Sequence, residues 1–491
     1  MTSDGTDWAL DDERERRRLR RSPSPGAITA ALSLGGLTAS FMQTVIVPIQ
    51  YELPELLDAP RADTAWVVTI TLLVSAIATP IAGRLGDMFG KRRIALVVLA
   101  VMTLGCIVSA TVPGIFGMIV GRGLQGVGMG VLPLGISIMR DVLPDRRLGS
   151  GIALMSATMG IGGAIGLPLA AIIAEQSDYR MLFWIAGAIG AVCFAFIFFV
   201  VPVSVLRTPG RFDWPGAIGL AAGISGMLLA LSRGNEWGWL SAPTLGLGLG
   251  GIAILLAWGW YELRDRNPLV DLRVAARRPV LLANLSSLCL SFALFSFNLT
   301  IPSYLENPVE SGAGLGLTMF QASLGLLPFG IMMLVLAPVA GRLLRIVGPQ
   351  PLMVAGGLIV VVSYVVCLLW LDALWSAMLV AVLGGTGISL AFAATPTVIM
   401  RAVPVTETAA ANGINSLMRS IGTTLGAAVA GAVLATITMQ LGEVAVPTWD
   451  AFRLEFVLGL SAAALSALIA AFIPRRSTPP VGERTALPDR V

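Results

Sequence analysis

Long apolar runs, broken by short segments of Gly, Pro or charge, organise this sequence of 491 residues. A membrane crossing needs about 20 mostly apolar residues. Fourteen stretches meet that need: 27–49, 64–83, 93–112, 115–139, 149–174, 181–203, 214–231, 242–261, 279–304, 318–340, 351–371, 375–399, 412–438 and 453–474. Many breaks are explicit, as at Pro113-Gly114, Pro209-Gly210 and Pro349. The runs are near-continuous and do not alternate as barrel strands do, and an open sheet would leave backbone groups unpaired in lipid. The pattern predicts an all-α membrane protein with 14 transmembrane helices.

Composition points the same way. Hydrophobic residues make up 56 % of the chain and charged residues only 13 %, about half the ordinary globular share. A water-soluble fold with so little charge could not cover its own surface. Histidine is absent, which rules out histidine proton shuttles, histidine metal sites and Ser-His-Asp triads. Cys106, Cys193, Cys289 and Cys367 lie far apart in apolar runs and read as small core hydrophobes. Lys91 is the one lysine among 33 basic residues. That bias, with heavy Ala and Gly usage, suggests a GC-rich bacterial genome.

Basic residues orient the spans. The N-terminal segment holds Arg14, Arg16, Arg17, Arg18, Arg20 and Arg21, and is placed in the cytoplasm. Of the remaining Lys and Arg, only Arg61, Arg180, Arg233 and Arg453 then fall outside, with Arg122 and Arg419 inside spans. Glu306, Glu310, Glu443 and Asp450, acids without basic partners, also fall outside. A miscounted span would invert everything after it, so both termini are expected in the cytoplasm. Residues 1–26 and 475–491 read as disordered cytoplasmic tails. No secretory signal is evident.

A repeat runs through the spans. Pro80-Ile-Ala-Gly83-Arg84-Leu-Gly-Asp87 aligns with Pro338-Val-Ala-Gly341-Arg342-Leu-Leu-Arg345, offset by 258 positions. Ile138-Met139-Arg140-Asp141-Val-Leu-Pro144 aligns with Ile399-Met400-Arg401-Ala-Val-Pro404, offset by about 261. The expected organisation is a six-helix bundle over 27–203, a linker with two extra transmembrane helices over 204–278, and a second six-helix bundle over 279–474. Paired bundles around a midplane site are an alternating-access architecture.

These residues carry a resemblance. Gly83-Arg84-Leu-Gly-Asp87-Met-Phe-Gly90-Lys91-Arg92-Arg93 resembles the signature loop of the major facilitator superfamily. Arg122-Gly-Leu-Gln125-Gly126-Val-Gly128 resembles that family's second motif. Gly162-Gly-Ala-Ile-Gly166-Leu-Pro168 is similar to the antiporter motif of its drug exporters, with the proline shifted by one residue and the final Gly pair absent. The two extra central spans, with Phe212-Asp213-Trp214-Pro215-Gly216 before them, resemble the fourteen-span drug:proton antiporter branch, as does Glu407-Thr-Ala-Ala-Ala-Asn412-Gly-Ile-Asn415.

Glycines in the signature loop permit a tight turn, and Arg84, Lys91 and Arg92 anchor it. Asp87 reads either as a local salt-bridge partner or, as the resemblance implies, as an acid facing the N-terminus of a helix in the opposite bundle, beginning near Asn412. Arg122 lies inside a span, where a charge is expensive and wants a partner. It either snorkels to the outer interface or, by resemblance, lines the cavity with Gln125 and takes part in proton coupling. Gly126 and the span-5 glycines read as close helix contacts, and Pro168 as a bend. By resemblance, span 5 seals the two bundles against each other.

The sequence also departs from that branch. Where relatives carry an acid in span 1, this chain has Phe41-Met42-Gln43-Thr44, and none of its 29 acids lies near the middle of a span. Those nearest a span are Glu52, Glu55, Glu175, Glu306 and Glu455, of which Glu55 and Glu306 are the candidate proton carriers, at a cavity mouth. Gln43, Thr44, Asn284, Asn298, Asn415 and Arg419 are candidate cavity residues, each equally readable as interhelical hydrogen-bonding glue. No Walker loop, HExxH, GxSxG or catalytic carboxylate pair occurs, so no enzyme, cofactor or metal is expected. The basic residues are dispersed among loops, which gives no nucleic-acid signal. The expected partners are a small-molecule substrate, protons and the lipid bilayer. The sequence thus reads as a monomeric, multi-pass efflux transporter of the bacterial cytoplasmic membrane, exporting drugs or amphipathic molecules against protons. The alternative is a dedicated metabolite or anion transporter with weak or no proton coupling.

Overall fold

A computed structural model describes residues 24–46, 49, 53–203, 210–265, 268–441 and 444–474. The tails expected over 1–26 and 475–491 lie outside the described residues, except Ser24, Pro25 and Gly26. Ser24 caps the first helix by accepting from Ala27 N, and Pro25 sits in its first turn, where its missing N–H costs nothing. That helix therefore begins two residues before the apolar run does.

Among the described residues, fourteen long helices follow one another. They are α1 (Pro25–Thr44), α2 (Arg61–Phe89), α3 (Lys91–Thr111), α4 (Gly114–Val142), α5 (Asp145–Gln176), α6 (Arg180–Val200) and α7 (Trp214–Trp237). Then come α8 (Ala242–Glu262), α9 (Arg278–Glu306), α10 (Met319–Ile346), α11 (Pro349–Trp370), α12 (Leu374–Ala402), α13 (Thr408–Thr436) and α14 (Trp449–Ala471). Thirteen are long and apolar enough to cross a membrane, and α5 is 32 residues long. Helix α4 is interrupted by one 3-10 turn at Val127–Gly130. A short antiparallel hairpin, Thr438–Leu441 with Val444–Pro447, joins α13 to α14. Asn307, at the end of α9, holds that hairpin by donating to Pro447 O at 3.1 Å.

Burial divides the apolar residues into three cores. One draws on α1 to α6, a second mainly on α9 to α14, and a third on α2, α7 and α13 with Leu269 and Val270. Two seams join the first six helices to the last six: α2 packs on α13, and α5 packs on α10. The inserted helix α7 lies over the α2/α13 seam, and α8 packs on α7. Large apolar side chains on α8 stay exposed, including Leu249 and Leu256, as suits a surface solvated by lipid tails.

The signature segment corrects one expectation. It is not a loop over 83–93: α2 runs on to Phe89, and α3 starts at Lys91. Gly90 alone makes the turn, at φ 104°, a left-handed conformation that only glycine adopts cheaply. Gly83 and Gly86 are helical and serve close packing instead. A Cβ on Gly83 would stand 2.5 Å from Ala409 O, and one on Gly86 would stand 2.2 Å from Leu134 Cδ2.

Candidate functional site

The two seams are built from repeat positions. Gly83 touches the first turn of α13, and its repeat mate Gly341 touches the second turn of α5, where an added Cβ would stand 2.5 Å from Ser150 Cα. Each helix carries a proline three residues earlier, Pro80 and Pro338, which loosens the hydrogen-bond ladder just before the contact. Gly413 of α13 returns the approach, since its Cβ would meet Pro80 Cα at 2.9 Å. Backbone therefore meets backbone along both seams.

Asp87 lies in the α2/α13 seam, fully buried. Its Oδ2 accepts from Ala410 N at 2.9 Å. Ala410 is the third residue of α13, and Glu407, at the N-cap position, makes no side-chain cap bond. Asp87 thus supplies from α2 the cap that α13 lacks locally, and adds a negative charge at the positive end of a helix 29 residues long. The helix starts at Thr408, four residues before Asn412. Lys91 Nζ stands 3.8 Å from Asp87 Oδ1 and 2.8 Å from Asp141 Oδ2. Arg140 crosses the same boundary, donating to Thr408 Oγ1 and Val403 O. Sequence reasoning missed Asp141 and Arg140 as seam residues, although both stand in the repeated Ile-Met-Arg segment. Arg84 is half-buried, while Arg92 turns away to Phe198, bonding its carbonyl and stacking on its ring.

Arg122 is buried in α4 and does not snorkel. It donates to Met42 O at 2.6 Å, Gln125 Oε1 at 2.8 Å and Val67 O at 3.4 Å. Gln125 passes the chain on by donating to Ser109 Oγ at 3.2 Å. Gly126 lets α4 approach α2, since its Cβ would stand 2.6 Å from Thr71 O. These contacts bind α1, α2, α3 and α4 into one unit.

In α5, Gly162 and Gly166 face α1 at Ser40, Phe41 and Thr44, not the second bundle. Thr44 Oγ1 donates to Gly162 O at 3.3 Å. The face toward α10 uses Gly149 and Gly160, which meet Gly341 and Met333. Helical geometry explains the split, because two residues turn the helix by about 200° and eleven return it to nearly the same face. The side chain of Pro168 lies outside the described residues, as do those of Glu52 and Glu175.

Of the other cavity candidates, Asn284 and Asn415 meet: Asn415 Nδ2 donates to Asn284 Oδ1 and to Ser287 Oγ, both at 3.0 Å. Arg419, one turn further, is buried with its guanidinium 5.2 Å from the centre of the Phe392 ring. Gln43 is half-buried, and Asn298 is exposed and donates back to Leu294 O. Glu55 and Glu306 are exposed. Glu455, fully buried on α14, accepts from Ser296 Oγ at 2.8 Å. It lies early in the last apolar run and in none of the motifs.

A family model for the Major Facilitator Superfamily matches residues 32–310 and 285–489. The chain belongs to the major facilitator superfamily. It is a multi-pass membrane transporter, not an enzyme. Curated superfamily relatives include the uncharacterised MFS-type transporter YhcA of Bacillus subtilis, 28 % identical over 83 % of this chain and 76 % of the relative. The multidrug resistance protein Stp of Mycobacterium tuberculosis is 28 % identical over 75 % of this chain and 68 % of its own length. The tetracenomycin C resistance and export protein of Streptomyces glaucescens is 26 % identical over 91 % of this chain and 82 % of its own. Among solved structures, the human organic anion transporter MFSD10 (TETRAN) superposes with a TM-score of 0.65 at 14 % identity, covering 91 % of this chain and all of that one. That likeness concerns the superfamily fold.

Proposed function

We propose that this transporter exports drug-like or other amphipathic small molecules from the bacterial cytoplasm by alternating access, coupled to proton entry. In this reading residues 27–203 and 279–474 are the two rocking units, 204–278 is an accessory insert, both termini are cytoplasmic, and the working unit is the monomer. The resistance and export roles printed in the names of its relatives in Mycobacterium and Streptomyces support the substrate class. One observation carries the mechanism: Asp87, on one half, caps α13 on the other. A helix cap contributes about 0.5–2 kcal/mol, and 2 kcal/mol shifts a two-state ratio roughly thirtyfold. A contact of that size is strong enough to hold the cytoplasmic side shut and weak enough to be released in each cycle.

The proton must bind a titratable group whose surroundings change during the cycle. Glu55 and Glu306 are exposed; Glu455 is buried with one carboxylate oxygen unpartnered, and joins them as the third candidate. The test uses everted vesicles holding an acid-inside pH gradient. Adding an exported dye should partly dissipate the gradient, and Glu455→Gln should export without doing so. A gradient unmoved by any dye the protein exports would refute coupling.

A further inference from the structure

The two arginines buried deep in the bundles differ in one respect that bears on substrate. Arg122 donates from Nε and a terminal nitrogen to two backbone carbonyls and Gln125. Arg419 is almost as buried, at 5 % exposure, yet its Nε has no hydrogen-bond partner. Among the described residues no carboxylate pairs with it, and its one described contact is the Phe392 ring.

Its neighbours along α13 are held elsewhere. Asn415, one turn before it on α13, spends its amide donor on Asn284 Oδ1 and Ser287 Oγ of α9. One turn after it, Gly422 presses on α9, where an added Cβ would stand 2.2 Å from Leu288 O. Side chain and backbone thus clamp α13 to α9 on either side of Arg419, and the helix cannot easily roll to give the guanidinium a protein partner. An uncompensated charge in the membrane interior is expensive. A buried cation normally sits beside an anion or a set of carbonyls, and among the described residues the Nε of Arg419 meets neither.

We infer that Arg419 binds an anionic group of the transported molecule. This rests on the export reading above and narrows its substrates to organic anions and zwitterions. The guanidinium is a planar fork of donors that matches a carboxylate or sulfonate in two parallel hydrogen bonds. Phe392, buried at 1 % exposure, covers a face of that fork and leaves the donor edge to the ligand. The preferred molecule therefore carries a carboxylate, sulfonate or acidic phenol on an apolar body. Arg419 lies near the middle of α13, eleven residues from its first residue, or about 16 Å at 1.5 Å per residue. That depth is close to the centre of a hydrocarbon layer about 30 Å thick, the level at which an alternating site must sit.

Two dyes with one xanthene skeleton and opposite charge provide the test: fluorescein, an anion, and rhodamine 123, a cation. Binding is measured by fluorescence anisotropy on purified full-length protein in nanodiscs, and export in everted vesicles. Arg419→Gln should weaken fluorescein binding at least tenfold more than it changes rhodamine 123 binding. Arg419→Lys, which keeps charge but loses the fork, should fall between, and serves if the glutamine variant unfolds. Equal changes for both dyes, or no fluorescein binding by the wild-type protein, would overturn the inference. Fluorescein binding without export of either dye would instead sink the export reading and leave the anion site standing.

Discussion

Lys91 and Asp141, 50 positions apart, form a buried ion pair in which the ammonium donates to both carboxylate oxygens, at 2.9 and 2.8 Å. The pair ties the start of α3 to the end of α4 and places the lysine 3.8 Å from Asp87. Asp87 is therefore held between a cation on its own half and a helix N-terminus on the other. The geometry fixes a ranking of substitutions. Asp87→Asn keeps an oxygen acceptor for Ala410 N and loses only the charge, while Asp87→Ala loses the cap as well. Both should insert normally and transport slowly, the alanine variant by the larger factor, with about 1 kcal/mol of seam stability lost for the cap. Initial export rates in vesicles check the order, and wild-type rates in both variants would remove Asp87 from the cycle.

Removing Lys91 should do more harm than removing Asp87. Lys91→Met removes the ammonium that bonds Asp141 and stands beside Asp87, and breaking a buried pair costs about 3–5 kcal/mol. We expect a protein that accumulates poorly and melts early in detergent. Adding Asp141→Asn should restore part of that loss, because one of the two acids that faced the lysine is neutralised. A Lys91→Met protein as stable as wild type would show that the pair contributes nothing.

Gly83→Ala and Gly341→Ala test the seams as a matched set. Alanine is normally the better helix former by about 1 kcal/mol, so at a free helix position each change would stabilise. Here each new methyl would strike backbone, 2.5 Å from Ala409 O or from Ser150 Cα. Both should bias the transporter away from the closed arrangement at the Asp87 end. A single cysteine introduced at Leu344, buried at 3 % exposure near the second seam, should label faster in either variant and fastest in the double variant. Unchanged labelling would mean that this end does not open by parting these helices.

The helices were legible in the sequence because lipid imposes one simple rule, a long apolar run per crossing, and the repeat made the seams legible as equivalent positions. What stayed hidden had a different cause in each case. The turn at Gly90 looked longer than it is because Arg84 and Asp87 broke the apolar run while the helix continued through them. Gly162 and Gly166 announced a close contact but not its partner, which depends on how α5 is rotated. Asp141 sits beside Arg140 at a helix end, and only the fold brings it to Lys91. Glu455 lies near the start of its run and looked peripheral, yet Ser296 donates to it in the second core.

The inserted helix α7 grips the two halves by unlike means, and this asymmetry predicts how it moves. Toward α2 the contacts are polar and directional: Arg233 lies 4.8 Å from the Trp66 ring while pairing with Glu236, and Thr69 and Ser232 share a hydrogen bond at 3.2 Å. Toward α13 the third core brings apolar side chains, Leu417 with Ile414, Met418 and Ile421, and such contacts slide without breaking hydrogen bonds. When the α2/α13 seam parts, α7 should therefore travel with α2 and slip over α13. Thr69→Cys with Ser232→Cys, in a background lacking the four native cysteines, should form a disulfide that leaves the export rate within about twofold of the reduced protein. Crosslinking Leu220 of α7 to Leu417 of α13 should stop export. If the first bond arrests transport and the second does not, the insert rides on the other half.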